Sequence, residues 1–251
     1  MPLPQSQALT VSTLGPCRFP SPLQEHKQQF IADTQRVLVS ADPDDLRFYL
    51  DAGQTPPAFE LAGPRSQIFF DPAALTCGIV TCGGICPGLN NVIRSLVLTL
   101  TYSYGVRRTL GFRYGYAGLS AKSGHEPLSL TPEVVEAIHQ HGGTLLGSSR
   151  GPQEIGEMVD TLVRHNVGIL FVIGGDGTLR GASALTQEIK HRNLAISVIG
   201  IPKTIDNDLD WIQRSFGFTT AVEAATQAIL AAHTEARGVW NGIGLVKLMG
   251  R

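Results

Sequence analysis

Two short polar segments, each placed directly after an apolar run, constrain this chain more than any other feature. Residues 173–178 read Ile-Gly-Gly-Asp-Gly-Thr after the apolar run 167–172, and residues 202–208 read Pro-Lys-Thr-Ile-Asp-Asn-Asp after the run 195–201. Short apolar runs that end in turn residues are typical of buried strands in a parallel sheet. Because such strands deliver their exit loops to one edge of the sheet, we expect the glycines and carboxylates to gather there. An edge of this kind can hold phosphates, a divalent cation and a reacting hydroxyl, which phosphoryl transfer requires.

Strand and helix patterns alternate from residue 67 onward. The predicted strands, besides the two runs above, are 77–81, 106–112 and 243–248. The predicted helices are one capped by Asn90 and ending before Gly105, one capped by Thr131 with Pro132 at its first position, one over 155–163 and one over 221–236. This alternation predicts an α/β fold, a doubly wound and mostly parallel sheet covered by helices on both faces.

Residues 1–66 have a different character. They carry most of the prolines and lack a glycine-flanked strand. The sequence predicts one helix over 23–39 and a shorter one over 43–50. We interpret residues 1–66 as an N-terminal extension that packs on a main domain, residues 67–251, and not as an independent domain.

Composition excludes several classes of function. The 251 residues include 20 Lys and Arg against 21 Asp and Glu, a formal net charge of −1. Without a basic tract, neither nucleic acid nor an anionic membrane is expected as a partner, and the apolar runs fall short of the roughly 18 residues of a membrane span. The N-terminus lacks the pattern of a signal peptide. The four cysteines lack zinc-ligand spacing, so we expect free thiols in a cytoplasmic protein.

A glycine-rich segment links the predicted strand 77–81 to the helix that comes after it. Gly83 and Gly84 let backbone N–H groups approach an anion, and Gly88 precedes a helix N-terminus, whose dipole favours phosphate. The segment has neither the ending of a Walker loop nor the glycine spacing of a dinucleotide fold. Taken alone, these glycines are explained equally well as structural turns.

The segment 173–178 carries a sharper signal. Asp176, flanked by glycines, is poorly suited to packing but well placed to hold magnesium directly or through its waters. Gly177 leaves space for a nucleotide triphosphate, and we expect Thr178 to cap the next helix and to contact phosphate. The alternative is that Asp176 or Thr178 serves only as a helix cap.

Arg150 lies after another glycine-rich stretch, residues 142–147, which we interpret as a further strand exit. Its guanidinium group has the fixed fork that clamps phosphate oxygens. The alternative is an ordinary surface arginine.

The segment 202–208 places Asp206 and Asp208 two residues apart, so that they point the same way if the chain is extended. Two carboxylates so close raise each other's pKa unless a cation is near. One can then act as a general base while the other orients a metal or a water. The alternative is a solvated acidic turn.

Taken in order, these segments resemble the 6-phosphofructokinases. The resemblance runs from residue 76 to 251 and is carried by Gly83-Gly84…Pro87-Gly88-Leu-Asn90, Tyr114-Gly-Tyr116-x-Gly118-Leu119, Gly174-Gly-Asp-Gly-Thr178, Pro202-Lys-Thr-Ile-Asp-Asn-Asp208, Phe216-Gly-Phe-x-Thr-Ala221 and Met249-Gly-Arg251. Residues 62–72, with the N-terminal extension, further resemble the longer ATP-using group of plants, trypanosomes and some bacteria.

The resemblance implies ATP-dependent phosphorylation of fructose 6-phosphate to fructose 1,6-bisphosphate, with magnesium as cofactor and a homo-oligomer, a tetramer, as the assembly. Asp206 is implied as the general base, Asp176 as the magnesium residue, and Arg251 as a catalytic group that stabilises the developing charge. The residues implied to contact ATP are Gly84, Arg150, Gly175, Gly177 and Thr178. Those implied to surround fructose 6-phosphate are Thr204, Asp206, Asp208, Met249, Gly250 and Arg251.

The chain departs from the family in two respects: Gly242 stands where the short bacterial enzymes have an arginine that reaches a neighbouring subunit's substrate, and the second half of the family is absent. The family continues past Met249-Gly-Arg251 into a second half that supplies further sugar-phosphate ligands. A doubly wound fold also rarely ends on the exit loop of a strand, because that strand then lacks its covering helix. We therefore expect the sequence to be truncated at its C-terminus.

Three functions remain open. An ATP-dependent enzyme is favoured by Gly177, since a carboxylate at that position would obstruct the α-phosphate of a nucleotide. The pyrophosphate-dependent relatives share Lys203 but usually carry Asp in place of Gly177. The third possibility is a catalytically incomplete nucleotide-binding fragment, which the missing half suggests.

Overall fold

The computed structural model describes residues 9–26 and 29–248, which fall into two compact units. The first unit comprises the described residues up to Pro72 together with Ser103–Gly105. The second comprises Ala73–Tyr102 and the described residues from Val106 onward. The boundary predicted between residues 66 and 67 stays a prediction.

The first unit is built from two small antiparallel pairs of strands. Strand β1 (Phe19–Pro20) pairs with β4 (Gln67–Ile68), and β2 (Arg36–Leu38) pairs with β3 (Ala58–Glu60). A 3-10 helix spans Pro22–His26, and helix α1 spans Pro43–Asp51. The side chain of Asp42 caps α1 by accepting from the Asp44 N–H at 2.9 Å, so the helix predicted over 43–50 is confirmed.

The helix predicted over 23–39 is wrong. Of that stretch only Pro22–His26 is helical, and Arg36–Leu38 is strand β2; residues 27 and 28 lie outside the described part of the chain. A turn interrupts the helical pattern, because the side chain of Gln35 accepts from the Ala32 N–H at 2.7 Å while the Gln35 N–H donates to the Ala32 carbonyl. Pairing with β3 then decides the conformation of β2, a tertiary contact that local propensity does not register.

The second unit is organised around a five-stranded sheet in the order β7-β6-β5-β8-β9. Its strands are β5 (Thr76–Thr81), β6 (Arg108–Phe112), β7 (Leu128–Ser129), β8 (Val167–Gly174) and β9 (Ser197–Pro202). Strands β6 and β8 both pair with β5 in parallel, β9 continues in parallel beside β8, and β7 is antiparallel to β6. The chain grows outward from β5 in both directions, so the predicted doubly wound, mostly parallel sheet is confirmed.

Helices cover both faces of this sheet. They are α2 (Leu89–Leu98, continued by a π-helical turn, Thr99–Ser103), α3 (Pro132–Val135), α4 (Ile155–Arg164) and α5 (Asp176–His191), with 3-10 helices at Gly115–Leu119, Ala121–Ser123 and Ile138–Gln140. The last helix, α6 (Phe218–Arg237), contains no buried residue. Neighbouring residues of β5 serve the two faces: Val80 packs in the core with α4 and α5, and Ile79 packs in the core with α2 and α3. This alternation is the period of two expected of a strand that is buried on both sides.

The predicted helix starts are partly confirmed. Thr131 caps α3 by accepting from the Val134 N–H at 3.4 Å, with Pro132 at the first position, but α3 is only four residues long. Asn90 is not a cap, since α2 begins after Gly88 in the left-handed region (φ +93). The buried amide of Asn90 instead accepts from the Leu145 N–H at 2.7 Å and donates to the His141 carbonyl at 3.0 Å.

Two predicted strand features are wrong. Among the described residues 142–147 there is no strand, so the stretch before Arg150 is a loop and not a strand exit. The described residues 242–248 likewise form no strand. Gly242 and Gly244 lie against the carbonyl oxygens of Ala236 and Ala232. The segment therefore runs back along α6, whereas a strand needs a neighbouring strand to pair with.

No helix within the described ranges is long and apolar enough to cross a membrane.

Burial on α4 generates a test of this core. Leu162 is fully buried between the sheet and α5, whereas its neighbour Val163 is half exposed. We expect Leu162→Ala to lower the free energy of unfolding by about 2–5 kcal/mol, because it removes buried methyl groups and leaves a cavity. Val163→Ala, the matched control on the same helix, should change it by less than about 0.5 kcal/mol. Denaturant unfolding measures both changes. Equal losses would contradict the orientation of α4, in which Leu162 faces the core and Val163 faces solvent.

Candidate functional site

A cleft of about 560 Å³ opens at the carboxyl edge of the sheet in the second unit. It lies where the exit loops of β5, β8 and β9 meet. Its lining residues are Cys82, Gly83, Gly84, Tyr116, residues 149–153, Ile155, Met158, residues 175–178, Gly181 and Lys203. The hydrogen bonding of the parallel sheet continues into this region by one backbone bond between the β5 and β8 segments and one between the β8 and β9 segments. Cys82 N–H donates to the Ile173 carbonyl and Lys203 N–H donates to the Gly174 carbonyl, both at 2.9 Å.

The loop formed by Gly83 and Gly84 is held by both of its carbonyl groups and by the Gly83 N–H, which donates to the Ser149 carbonyl at 3.1 Å. Ser148 Oγ donates to the Gly83 carbonyl at 2.5 Å, and Lys203 Nζ donates to the Gly84 carbonyl at 2.5 Å. Gly83 adopts φ +80, a conformation that favours glycine. Since the C=O and N–H groups of a planar trans peptide point in opposite directions, fixing these carbonyls also fixes the direction of the adjoining N–H groups. Arg150 reaches the same loop, with Nη2 at 3.6 Å from the position of a Cβ on Gly84.

The positively charged side chain of Lys203 lies in a position that is almost inaccessible to solvent. The residue is only 5% exposed. Burial lowers the pKa of its ammonium group; Cys86, Cys82 and Asp206 favour the charged form, whereas the nearby Arg150 disfavours it. The Lys203 ammonium therefore joins the end of β9 to the glycine loop after β5, and it adds positive charge beside an anion-binding geometry.

The N-terminus of α5 forms the opposite side of the cleft. Asp176 is the first residue of α5 and forms an ion pair with Arg180 at 2.7 Å, but both side chains are largely exposed, at 60% and 75%. A Cβ on Gly177 would meet no described atom within 4 Å. Backbone N–H groups at a helix N-terminus, together with the helix dipole, favour an anion at this position.

Thr178 is not the cap that the sequence predicts. The cap residue of α5 is Gly175, and Thr178 is buried inside the first turn, where its side chain lies against Gly174. The Thr178 carbonyl accepts from the hydroxyl of Tyr116 at 2.7 Å. The glycine before the cap is required here because a Cβ on Gly174 would overlap the Thr178 side chain.

The described residues contain no group of three or more His, Cys, Asp or Glu side chains that could hold a metal ion. Among the residues that line the cleft, Asp176 alone offers a carboxylate. This donor set fits magnesium, which is commonly bound by one or two carboxylates, substrate phosphates and several waters and not by a full protein cage.

The acidic turn, residues 204–208, comes directly after Lys203. Thr204 Oγ1 donates to Asp208 Oδ1 at 2.6 Å and accepts from the Asp206 N–H at 3.2 Å. The turn is not extended, because Asn207 has φ +54. The two carboxylates therefore differ in environment: Asp208 is exposed, whereas Asp206 is half-buried with Oδ1 shielded from solvent. The two negatively charged groups therefore differ in their exposure to solvent.

The structure brings most of the predicted site residues together. Those that line the cleft are Gly84, Arg150, Gly175, Asp176, Gly177, Thr178 and Lys203. The acidic turn, with Thr204, Asp206 and Asp208, adjoins this set without lining the cleft itself. Met249, Gly250 and Arg251 lie outside the described residues.

Sequence reasoning missed part of the cleft wall. Tyr116, Gln153, Ile155, Met158 and Gly181 all line the cleft. Tyr116 belongs to a motif that carries the resemblance, but the motif alone assigns it no role. Ile155 and Met158 belong to an apolar helical stripe, and a stripe does not distinguish a face that packs in a core from one that borders a cleft.

Known proteins resemble this chain in sequence. A family model of phosphofructokinase matches residues 76–251. The chain belongs to the phosphofructokinase family. It is 51% identical to the ATP-dependent 6-phosphofructokinase of Amycolatopsis methanolica, over 97% of this chain and 54% of that protein. It is 48% identical to the one of Trypanosoma cruzi, over 97% of this chain and 51% of that protein. The chain thus spans about half of the length of these curated relatives.

Solved phosphofructokinase structures share the fold. A pyrophosphate-dependent phosphofructokinase from Marinobacter aquaeolei superposes with a TM-score of 0.56 and 23% identity, over 64% of this chain and 41% of that one. A phosphofructokinase from Saccharomyces cerevisiae gives a TM-score of 0.57 and 24% identity, over 65% of this chain and 24% of that one. At these identities the likeness concerns the phosphofructokinase fold alone.

The thiols of this phosphofructokinase family member provide a test of the cleft's packing. Burial raises the pKa of the Cys82 thiol to about 11 and that of Cys77 to about 12, whereas Cys17 is exposed. Since the thiolate is the reactive form, we expect iodoacetamide at neutral pH to modify Cys17 first. The labelling of Cys82 should accelerate as the pH rises toward about 11. Peptide mass spectrometry measures the rates, with Cys17→Ser as the control; equally fast labelling of Cys82 at neutral pH would contradict the packing.

Proposed function

We propose that the protein acts as an ATP-dependent 6-phosphofructokinase, which transfers the γ-phosphoryl group of ATP to the 1-hydroxyl of fructose 6-phosphate in glycolysis. One observation carries this proposal: the glycine loop after β5 and the N-terminus of α5 face a single cleft, with Arg150 and Lys203 beside them. The curated relatives from Amycolatopsis methanolica and Trypanosoma cruzi, at about half identity over nearly the whole chain, support it. Phosphoryl transfer needs positioning and charge neutralisation more than covalent chemistry, and this cleft offers both.

The nucleotide is expected to bind with its phosphates between the two glycine-rich segments. The proposed ATP contacts are Gly84, Arg150, Gly175, Gly177 and Thr178. Gly84 and the first turn of α5 supply backbone N–H groups, and Arg150 supplies a guanidinium fork for phosphate oxygens. Asp176 would hold magnesium, which when bound neutralises charge on the β- and γ-phosphates. The exposed ion pair with Arg180 is weak enough to be exchanged for that role.

The acidic turn is expected to serve the sugar phosphate. Asp206, half-buried beside the cleft, takes the proton from the 1-hydroxyl as general base. Thr204 and Asp208 are proposed to contact the sugar phosphate with Met249, Gly250 and Arg251, and Arg251 is proposed to stabilise the charge that develops on the transferring group. A homo-oligomer, a tetramer in the cytoplasm, is the assembly we expect of such an enzyme.

A pyrophosphate-dependent reaction is the second candidate, and Lys203 is the observation that favours it. Lys203 lies buried against the glycine loop and so places positive charge where pyrophosphate would sit. We favour ATP because position 177 is a glycine with open space around its Cβ position, whereas a carboxylate there would obstruct the α-phosphate of a nucleotide. A direct comparison of the two donors, with fructose 6-phosphate and magnesium in a coupled assay of the full natural protein, tests the proposal. Preference for pyrophosphate would overturn it.

The role of Asp206 leads to a prediction about turnover. We expect Asp206→Asn in the full natural protein to leave the fold and the ATP affinity nearly unchanged, because the side chain keeps its shape and lies outside the cleft. Turnover should fall by the roughly 10²–10⁴-fold that a general base contributes. Asp210→Asn, which neutralises an exposed carboxylate of the same loop, is the matched control. Equal turnover of Asp206→Asn and the parent would remove Asp206 from this role.

Donor choice leads to a second prediction, at Gly177. The protein has room for a side chain there, so neither Gly177→Ala nor Gly177→Asp should disturb the fold. We expect Gly177→Asp to impair the use of ATP far more than the use of pyrophosphate, since the carboxylate is bulky and repels the α-phosphate. Gly177→Ala, which adds bulk without charge, should have a smaller effect. The ratio of kcat/KM for the two donors measures the change, and an unaltered ratio in Gly177→Asp would contradict the assignment.

A further inference from the structure

The acidic turn is attached through Thr204 and Asn207 to one short stretch of chain, residues 213–217, which we call the anchor segment. The amide of Asn207 accepts from the Ser215 N–H at 2.7 Å and donates to the Gln213 carbonyl at 3.1 Å. The hydroxyl of Ser215 donates to the Thr204 carbonyl. Ser215 itself is only 4% exposed, so the bond that its hydroxyl donates is shielded from competition with water.

The anchor segment is in turn fixed on the loop that carries the cleft glycines. The Cys86 thiol donates to the Phe216 carbonyl at 3.0 Å. Gly217, with φ +82, is packed so closely on the Pro87 carbonyl that a Cβ would overlap it. The Phe216 ring also lies 3.4 Å from the position of a Cβ on Gly88. A continuous series of contacts therefore runs from the glycine loop through the anchor segment to the acidic turn.

Asparagine is well suited to attach the acidic turn to the anchor segment from position 207. Its φ of +54 lies in the left-handed region, which asparagine and glycine tolerate best. Both amide atoms are used on backbone partners. An aspartate there would set a carboxylate oxygen against the Gln213 carbonyl, and an alanine would be strained and would lose both bonds. Asn207 thus acts on the backbone that flanks Asp206.

We propose that Asn207 and Ser215 are positioning residues, which hold the Asp206 carboxylate at a fixed place relative to the glycine loop. The inference rests on the proposed function, since it concerns the general base of that reaction. Without these bonds, the turn would keep the contacts of Thr204 within it but would lose its hydrogen bonds to the anchor segment. A displacement of about 1 Å in a reacting group can cost on the order of 10²-fold in rate, so the attachment of this turn sets the rate of proton removal.

A double-mutant cycle in the full natural protein tests the inference. Asn207→Gly removes both side-chain bonds and keeps a residue that accepts the positive φ. We expect it to lower kcat by roughly 10- to 10²-fold and to change the KM for ATP by less than about threefold. If Asn207 acts through Asp206, then adding Asn207→Gly to Asp206→Asn should cost nothing further. Losses that multiply in the double variant would overturn the inference, because a general structural role costs the same in either background.

Gln213→Ala is the matched control, since the side chain of Gln213 is exposed and the network uses only its carbonyl. It should retain the parental kcat. Ser215→Ala provides a second, independent cycle with Asp206→Asn, in which the same absence of a further loss is expected. If Asn207→Gly and Ser215→Ala both unfold while Gln213→Ala folds, the network is structural and the inference fails. A parent that forms no fructose 1,6-bisphosphate from ATP refutes the proposed function, whereas an active parent with multiplying losses refutes the positioning role alone.

Discussion

Two backbone hydrogen bonds determine the geometry on which the rest of the site depends. They run from Cys82 N–H to the Ile173 carbonyl and from Lys203 N–H to the Gly174 carbonyl, each at 2.9 Å. Both extend the parallel ladder just past the ends of β5 and β9, so the three exit loops leave the sheet in register with one another. A shift of either strand by one residue would turn its side chains to the other face. The glycine loop would then no longer face the N-terminus of α5.

The charge arrangement of the cleft depends on this register. Lys203, placed by β9, is buried and donates to the carbonyl of Gly84, while Ser148 donates to the carbonyl of Gly83. Positive charge and oriented peptides therefore lie on one side of the cleft, held by bonds within the protein. The other side offers the α5 N-terminus and the exposed Asp176. Sites organised in advance in this way lose little free energy to reorganisation when charge arrives.

The sequence predicted the features that depend on local pattern. Buried parallel strands, the glycines at their exits and the residues after them were recognisable because short apolar runs, turn residues and carboxylates recur in a fixed order. The resemblance then placed Gly84, Arg150, Asp176 and Lys203 in one site, and the structure does bring these side chains and loops together.

The features that the sequence did not predict depend on contacts between distant residues. Residues 36–38 form a strand because β3 lies beside them, and residues 242–244 lie along α6 instead of forming a strand. Asn90 is a residue type that commonly caps helices, yet its amide is used on the loop that contains Leu145. The anchoring of the acidic turn by Ser215 was invisible for the same reason, since its hydroxyl bonds a residue eleven positions earlier in the chain.

Hydrogen–deuterium exchange of the full natural protein, with and without magnesium and ATP, tests the central claim that these exit loops form one nucleotide cleft. We expect slower exchange in the peptides that cover residues 82–84, 149–153 and 175–181, because bound phosphates occupy or shield their N–H groups. Peptides from helix α1 in the first unit serve as an internal reference and should exchange at an unchanged rate. Slowing elsewhere in the chain, with these three peptides unaffected, would contradict the account.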